Sequence, residues 1–310
     1  MSLPAVSIII VNWNTRELTR ACVESVIAET TVPFEIILVD NDSSDGSSEA
    51  LRAAFPQITV IDAGENLGFG RANNLAALEA RSDRLLLLNS DTVVLNGAID
   101  ALVQFADQHP DARIWGGRTV FEDGALNPAS CWGRPTPWSV FCRATGIARC
   151  LGNPTWCDSE SLAQWSRDSV REVDVVSGCF FLIDRALWRT LDGFDPAFFM
   201  YGEELDLCLR AHQHGARPMI TPDAEIIHYG GRSDTVREDQ TVRQFEAKAR
   251  VYRRHWSPTV AGLAVRMLDL WALRRLWVDR VLCAVGRGSR ERLATWQAVW
   301  RRRGEWERAT

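Results

Sequence analysis

Four short apolar runs, each closed by Asn or Asp, recur near the start of the chain: Val6 to Asn12 (VSIIIVN), Phe34 to Asp40 (FEIILVD), Ile58 to Asp62 (ITVID) and Leu85 to Asn89 (LLLLN). Runs that are apolar almost throughout, instead of alternating, suit strands buried on both faces. Between them Arg16 to Glu29, Ser47 to Phe55 and Gly70 to Ala80 carry helical spacing. Strands alternating with helices predict an α/β fold, a mainly parallel central sheet flanked by helices. In such sheets ligands sit in the crevice beyond the carboxyl ends of the strands, so the polar loops that close these runs are where chemistry is expected.

Further along, Glu122 to Asp168 is rich in Pro, Gly and Trp and reads as an irregular excursion over the sheet. Val173 to Asp184 returns as a strand, Glu203 to His214 as a helix stopped by Gly215, and Ile226 to His228 as one more short strand. A length of 310 residues fits one large α/β domain with an appendage, divided here as 1–256 and a helical extension over 257–310. A content of 46% hydrophobic and 24% charged residues excludes a disordered or collagen-like chain. The eight cysteines include no CxxC pair, which argues against a zinc site or a disulfide framework and for reduced, mostly buried thiols.

The charge is divided. From Lys248 to Thr310 there are 15 basic and 5 acidic residues, net +10, leaving 20 basic and 35 acidic, net −15, for residues 1–247. The basic part also holds Trp256, Trp271, Trp277, Trp296, Trp300 and Trp306. Basic helices with Trp and Leu favour anionic membrane interfaces. A surface-lying tail from about Ser257 is therefore expected, with a helical hairpin that packs on the catalytic domain or forms a homodimer as the competing reading. The acidic body and the lack of a nucleic-acid motif argue against nucleic acid. No apolar run approaches the ~18 residues of a spanning helix, and Val6 to Val11 is too short for a signal peptide. These features predict a cytoplasmic chain, or one resting peripherally on the inner face of the cell membrane.

Several strand ends carry groups suited to binding. Asp40, within Asp40-Asn41-Asp42-Ser43-Ser44-Asp45-Gly46-Ser47, can accept from a base N–H or ribose hydroxyls, or can simply close an Asx turn. Asn89-Ser90-Asp91 delivers a carboxylate to the same edge, an oxygen ligand for a hard cation. His228, before Tyr229-Gly230-Gly231, offers an imidazole; with a carboxylate it suits Mn2+ while permitting Mg2+. Glu203, Glu204 and Asp206 open a helix. Asp206 can pair with Arg210, whereas Glu204 has no basic residue three or four positions away along the helix. The approach Phe198-Phe199-Met200-Tyr201 would make a dry wall that raises a carboxyl pKa towards general-base use. The glycine-rich stretch Gly64 to Gly70 follows the third strand and lacks GxGxxG spacing, which excludes a dinucleotide fingerprint.

Taken together, Val6 to Asn14 (VSIIIVNWN), Val39 to Ser47 (VDNDSSDGS), Asn66 to Asn74 (NLGFGRANN), Leu86 to Thr92 (LLLNSDT), Gly178 to Ile183 (GCFFLI), Gly193 to Arg210 (GFDPAFFMYGEELDLCLR) and Ile227-His228 resemble family 2 glycosyltransferases of the GT-A fold, in the family's order. The wording is most similar to bacterial rhamnosyltransferase-like enzymes of cell-wall and surface polysaccharide assembly. The resemblance implies a GT-A nucleotide-diphospho-sugar transferase fold with a C-terminal helical extension, and inverting transfer of a sugar from a nucleotide diphosphate donor with a divalent metal, Mg2+ or Mn2+. The donor it suggests is dTDP-rhamnose, and the acceptor a saccharide or a polyprenyl-linked sugar. By position it places Asn12, Asp40, Asn66, Asn73 and Asp91 at the donor, Asp91 and His228 on the metal, and the catalytic base on Glu204 with Glu203 beside it. Two departures stand out. The DxD-like motif has one carboxylate, and the usual Glu-Asp pair reads Glu203-Glu204, so the base is one methylene longer.

Other readings are a UDP-hexose-dependent enzyme of the same family, an inactive membrane-associated adaptor of this fold, and a sugar nucleotidyltransferase. The last should show a basic, glycine-rich phosphate loop after the first strand, where this chain has Asn12-Trp13-Asn14-Thr15.

Overall fold

The computed structural model describes residues 3–230 and 237–309, so Gly231 of the loop after His228 lies outside the described residues. Its strands are β1 (Val6–Asn12), β2 (Phe34–Asp40), β3 (Thr59–Asp62), β4 (Arg84–Asn89), β5 (Thr92–Val94), β6 (Ile114–Val120), β7 (Cys131–Trp132), β8 (Arg171–Glu172), β9 (Val175–Val176), β10 (Phe180–Asp184) and β11 (Met219–His228). The main sheet runs β3-β2-β1-β4-β10-β6-β11-β5, with β8 on β11, while β7 and β9 form a separate ribbon.

The first four strands are parallel, in register Asn12↔Asp40 and Val11↔Asn89, so their carboxyl ends share one edge. Strand β10 runs antiparallel between β4 and β6 and brings its first residue, Phe180, opposite Leu88 at that edge. Strand β11 is parallel to β6 and delivers His228 opposite Thr92. The core between the sheet and helices Arg16–Glu29 and Ala98–Gln108 holds Ile8, Ile10, Val23, Val26, Leu86 and Leu102. All of them are essentially out of water, which supplies the main hydrophobic drive for this layer.

Two readings of the strands change. Val173 to Asp184 is not one strand: β9 pairs with β7, a turn closed by Phe180 N–H to Ser177 O at 3.3 Å follows, and only β10 enters the main sheet. The final strand is ten residues long, not three, because its register shift between Ile220 and Glu225 absorbs Pro222, which has no N–H to donate.

The chain divides into two compact units, 1–132 with 165–199 and 203–233, and 133–164 with 200–202 and 234–310. Helix Arg237–His255 turns Val242, Phe245, Ala249 and Tyr252 into one apolar core with Leu268 and Ala272 of helix Pro258–Ala284 and with Trp306. Around that core, Trp256, Trp271, Trp296 and Trp300 are partly buried. The stretch expected to be an irregular excursion holds helices Pro137–Thr145 and Ile147–Cys150, the first started by a Thr136–Ser139 capping box, and within the same unit Glu160 is enclosed with Lys248 Nζ at 2.7 Å and Arg143 at 3.4 Å, ion pairs that fasten it. Among the described residues no helix is long and apolar enough to cross a membrane. All eight cysteines are free thiols, six of them buried.

Candidate active site

The site is built within the first unit, from the shared edge of β2, β1 and β4 outward. Asn12, wholly buried, donates from Nδ2 to Asp40 Oδ1 at 2.6 Å and to Ser43 Oγ at 3.0 Å, while its Oδ1 accepts from Thr15 at 2.9 Å and Thr19 at 2.6 Å. An amide has two donors and one carbonyl oxygen, so this capacity is fully used. The resemblance counts Asn12 among donor-contacting residues; the structure gives it the task of aiming Asp40. Asp40 Oδ2 accepts from Ser43 N–H at 2.9 Å, leaving the carboxylate oriented but with lone pairs to offer. Beside it Asn41 donates to Gly68 O at 3.1 Å and leaves its own buried Oδ1 without a partner. Such an oxygen costs free energy unless a donor arrives, so Asn41 joins the site although its residue type carried no signal in the sequence.

The motif Asn66 to Asn74 turns out to be a clamp. Asn66 Oδ1 accepts from Gly68 N–H at 3.0 Å, and Asn73, inside helix Gly68–Glu79, is buried and donates to Phe69 O at 2.9 Å. Asn74 receives Phe194 N–H at 2.9 Å and donates to Phe194 O at 2.8 Å, and Phe69 N–H reaches Phe199 O at 3.0 Å. Gly68 has φ +75°, and a Cβ there would sit 2.1 Å from Phe199 O. Two stretches far apart in sequence are thus one device that fixes the segment leading to Glu203. Gly68→Val should destabilise the chain by about 1–3 kcal/mol or more, read as a lower urea midpoint, since backbone cannot yield as a side chain can.

At the other end of the edge, Asp91 Oδ1 and His228 Nε2 stand 3.4 Å apart, both nearly buried. Asn89 Nδ2 lies 3.4 Å from the same ring nitrogen, Tyr229 N–H bonds Asp91 O at 3.1 Å, and Asn127 donates to His228 O at 3.0 Å. Burial opposes an imidazolium here, but the Cys179 sulfur and the Asp91 carboxylate beside it carry the His228 pKa up to about 10. A divalent cation would replace that proton, as ligand binding by histidine requires. Neighbouring ligands of an octahedral Mg2+ at about 2.1 Å are ~3 Å apart, so this O and N pair fits one cation with little movement. Among the described residues no third His, Cys, Asp or Glu completes a cluster, which leaves the remaining positions to phosphate oxygens and water.

Helix Glu203–Gln213 opens with the acids. Asp206 is fully buried and accepts from Arg210 Nε at 2.7 Å, while Arg210 also ties down Leu191 O and Gly193 O, a structural assembly as the spacing predicts. Glu203 and Glu204 differ. Each has a buried Oε2 with no hydrogen-bond partner. Glu203 is buried, whereas Glu204 keeps partial access to solvent. Removal from water, with the Glu204 charge beside it, pushes the Glu203 carboxyl far above the usual carboxylate range. Burial also raises Glu204.

The first shift has a sign that can be tested. Glu203 binds its proton more tightly folded than unfolded, so its contribution is full below the unfolded pKa of ~4.3 and is lost as pH rises through the folded value. Glu203→Gln should therefore gain stability relative to the parent as pH rises above about 5, measured by urea denaturation. A parallel pH profile for the two proteins would contradict the assignment.

The mixed, mostly parallel sheet flanked by helices is that of a GT-A glycosyltransferase fold. The mannosyltransferase PcManGT from Pyrobaculum calidifontis, in complex with GDP-Man and Mn2+, shares the fold at TM-score 0.57 and 15% identity, over 99% of this chain and 86% of that one. The chain belongs to glycosyl transferase family 2, whose model matches residues 7–174. Its relatives include the O-antigen biosynthesis protein RfbC of Myxococcus xanthus, 30% identical over 74% of this chain, of whose length this chain covers 18%. The N-acetylglucosaminyl-diphospho-decaprenol L-rhamnosyltransferase of Mycobacterium tuberculosis is 29% identical over 66% of this chain and 69% of its own length. The rhamnosyltransferase WbbL of Escherichia coli is 28% identical over 84% and 92%.

Proposed function

We propose that this glycosyltransferase is metal-dependent and inverting, and that it moves L-rhamnose from dTDP-rhamnose to a polyprenyl-diphosphate-linked sugar in surface polysaccharide synthesis. The observation that carries the reaction type is the paired geometry: an O,N ligand pair at one place on the sheet edge, and two carboxylates opening one helix, each with a buried Oε2 that nothing meets. The names of two relatives that are rhamnosyltransferases favour the donor, and the decaprenol-linked substrate in one of those names favours the acceptor.

Each residue then has a task. Asp40, held by Asn12 and Ser43, accepts from the nucleoside, and Asn41 Oδ1 supplies a second acceptor. Asp91 and His228 would hold Mg2+ or Mn2+, which when bound neutralises charge on the departing diphosphate. Glu204, the more accessible acid, takes the proton of the acceptor hydroxyl as that oxygen attacks the anomeric carbon from the opposite face. Glu203, whose carboxyl is pushed far above the usual range by burial and by the Glu204 charge, favours its proton and so limits negative charge beside that base. Direct displacement requires no covalent sugar intermediate, and inversion follows from attack opposite the leaving group.

Incubating the purified chain and a polyprenyl-diphosphate-linked sugar with dTDP-rhamnose, UDP-glucose or UDP-galactose tests both parts. Expected is an inverted rhamnoside from the first donor alone. A preference for a UDP-hexose would replace the donor and keep the reaction type, whereas retention of configuration would overturn the mechanism.

A further inference from the structure

The second unit carries a surface that the transfer chemistry does not use. Trp138, Leu151 and Trp156, from the excursion, are half or more exposed, and so are Trp277, Val281 and Val285 at the end of helix Pro258–Ala284. Trp277, Val281 and Val285 follow one another at four-residue spacing and so form one stripe. Arg274, a turn earlier on that stripe, donates to Ala144 O at 2.8 Å and Arg143 O at 3.3 Å, which sets the stripe alongside helix Pro137–Thr145. There Trp138 stacks on the exposed Phe141 with ring centroids 5.5 Å apart. Grouped apolar surface of this kind marks a docking face.

Cations border it. Arg280 lies 5.3 Å over the Trp277 ring. Burial holds the Arg274 and Arg275 guanidinium groups below their usual pKa, aided at Arg274 by repulsion from Arg275 and Arg149 and at Arg275 by repulsion from Arg149, Arg292 and Arg237. The acid facing Arg275 is Asp279, which is already paired with Arg292 at 2.7 Å. The local excess is positive, and the complement it asks for is negative. A second copy meets this requirement poorly, because a two-fold interface sets a patch against itself and would press arginine on arginine. Tryptophan beside arginine, with the ring in the interface and the guanidinium at the headgroups, suits an anionic bilayer.

We propose that this tryptophan- and arginine-bearing face of the second unit seats on an anionic lipid bilayer. The contact shares with the expected C-terminal tail only the stripe of Trp277, Val281 and Val285; of the tail's other tryptophans Trp306 is wholly buried and Trp256, Trp271, Trp296 and Trp300 pack against the core. Trp138 and Trp156 lie outside that tail altogether. The proposal shares only the lipid-linked acceptor with the proposed function, and its test reads no sugar transfer, so either can fail alone.

The test is flotation of the full chain with phosphatidylcholine vesicles with and without phosphatidylglycerol. Binding is expected only to the phosphatidylglycerol vesicles and should fall as salt rises, because surface attraction is screened within a Debye length. Trp277→Ser with Val281→Ser, and separately Trp138→Ser with Trp156→Ser, should each weaken binding about tenfold or more, while thermal midpoints stay at the parent value. The lipid and salt dependence of the unaltered protein tests the proposal even if a double variant fails to fold. Absence of binding to phosphatidylglycerol vesicles, equal binding to both vesicles, or full binding by both double variants would overturn it. So would a dimer in sedimentation that these substitutions dissociate.

Discussion

Glu204→Gln is expected to lower turnover by about 10²–10⁴, the usual loss when a positioned base is removed, with donor affinity little changed. Glutamine keeps the length and shape of the side chain, so the readout isolates the proton acceptor. The prediction depends on a difference between neighbours. Successive helix residues point ~100° apart, and only one of the two can face the anomeric carbon. Glu204 retains partial solvent access and Glu203 does not. Glu203, with its pKa pushed far up by burial and by the neighbouring charge, holds its proton more tightly than an ordinary carboxylate and is the poorer acceptor of another. Because Glu204 is also raised, activity should fall on the acid side at a higher pH than an ordinary carboxylate would give. Near-normal turnover in Glu204→Gln with a dead Glu203→Gln would move the base by one residue. Normal turnover in both would remove the acid pair from the mechanism.

The second large effect is expected at Asp91. Asp91→Ala should remove metal-supported donor binding and reduce transfer by about 10³-fold or more, since a cation stabilising a leaving diphosphate is worth several kcal/mol. His228→Ala should weaken metal dependence in the same direction, as the other member of the 3.4 Å pair. Titrating Mn2+ against donor-induced thermal stabilisation gives the readout without an acceptor, because a ligand that binds only the folded form raises its stability. Unchanged donor stabilisation by metal in Asp91→Ala would place the cation elsewhere.

Much of this was legible from residues alone because the first strands are buried on both faces. An unbroken run such as LLLLN has no competing period, and β1, β2 and helix Arg16–Glu29 begin and end where the sequence places them. Legibility failed where a local breaker is rescued by distant packing. Strand β6, which the sequence reading leaves unassigned, contains Gly116 and Gly117, where Cβ atoms would lie 2.5 Å from Val176 and 2.1 Å from Ala224 O. Glycine is present because neighbouring backbone and side chains leave no space, a reason absent from the local sequence. Pro222 hid most of β11 in the same way.

The site divides along similar lines. Asp91, His228, Glu203 and Glu204 are chemically conspicuous at strand or helix ends. Asn12 was visible, but its supporting place emerged only from the four hydrogen bonds of its side chain, two donated to Asp40 and Ser43 and two accepted from Thr15 and Thr19. Asn41 differs from many turn asparagines only in having a buried Oδ1 that nothing meets. The tail's tryptophans carry two meanings for a physical reason: rings that look amphipathic by composition can as well fill a helical core, as Trp306 does with Trp256, Trp271, Trp296 and Trp300 packed around it, while Trp277 stays exposed.

The most direct measurement is release of dTDP from dTDP-rhamnose by the full chain, with a polyprenyl-diphosphate-linked sugar present, in Mn2+, in excess EDTA, and after Mn2+ is restored. The expected result is turnover with metal, loss in EDTA and recovery on addition, with Asp91→Ala inactive throughout. Undiminished turnover in EDTA, or an Asp91→Ala protein that responds to Mn2+ like the parent, would contradict a metal-assisted reaction at Asp91 and His228.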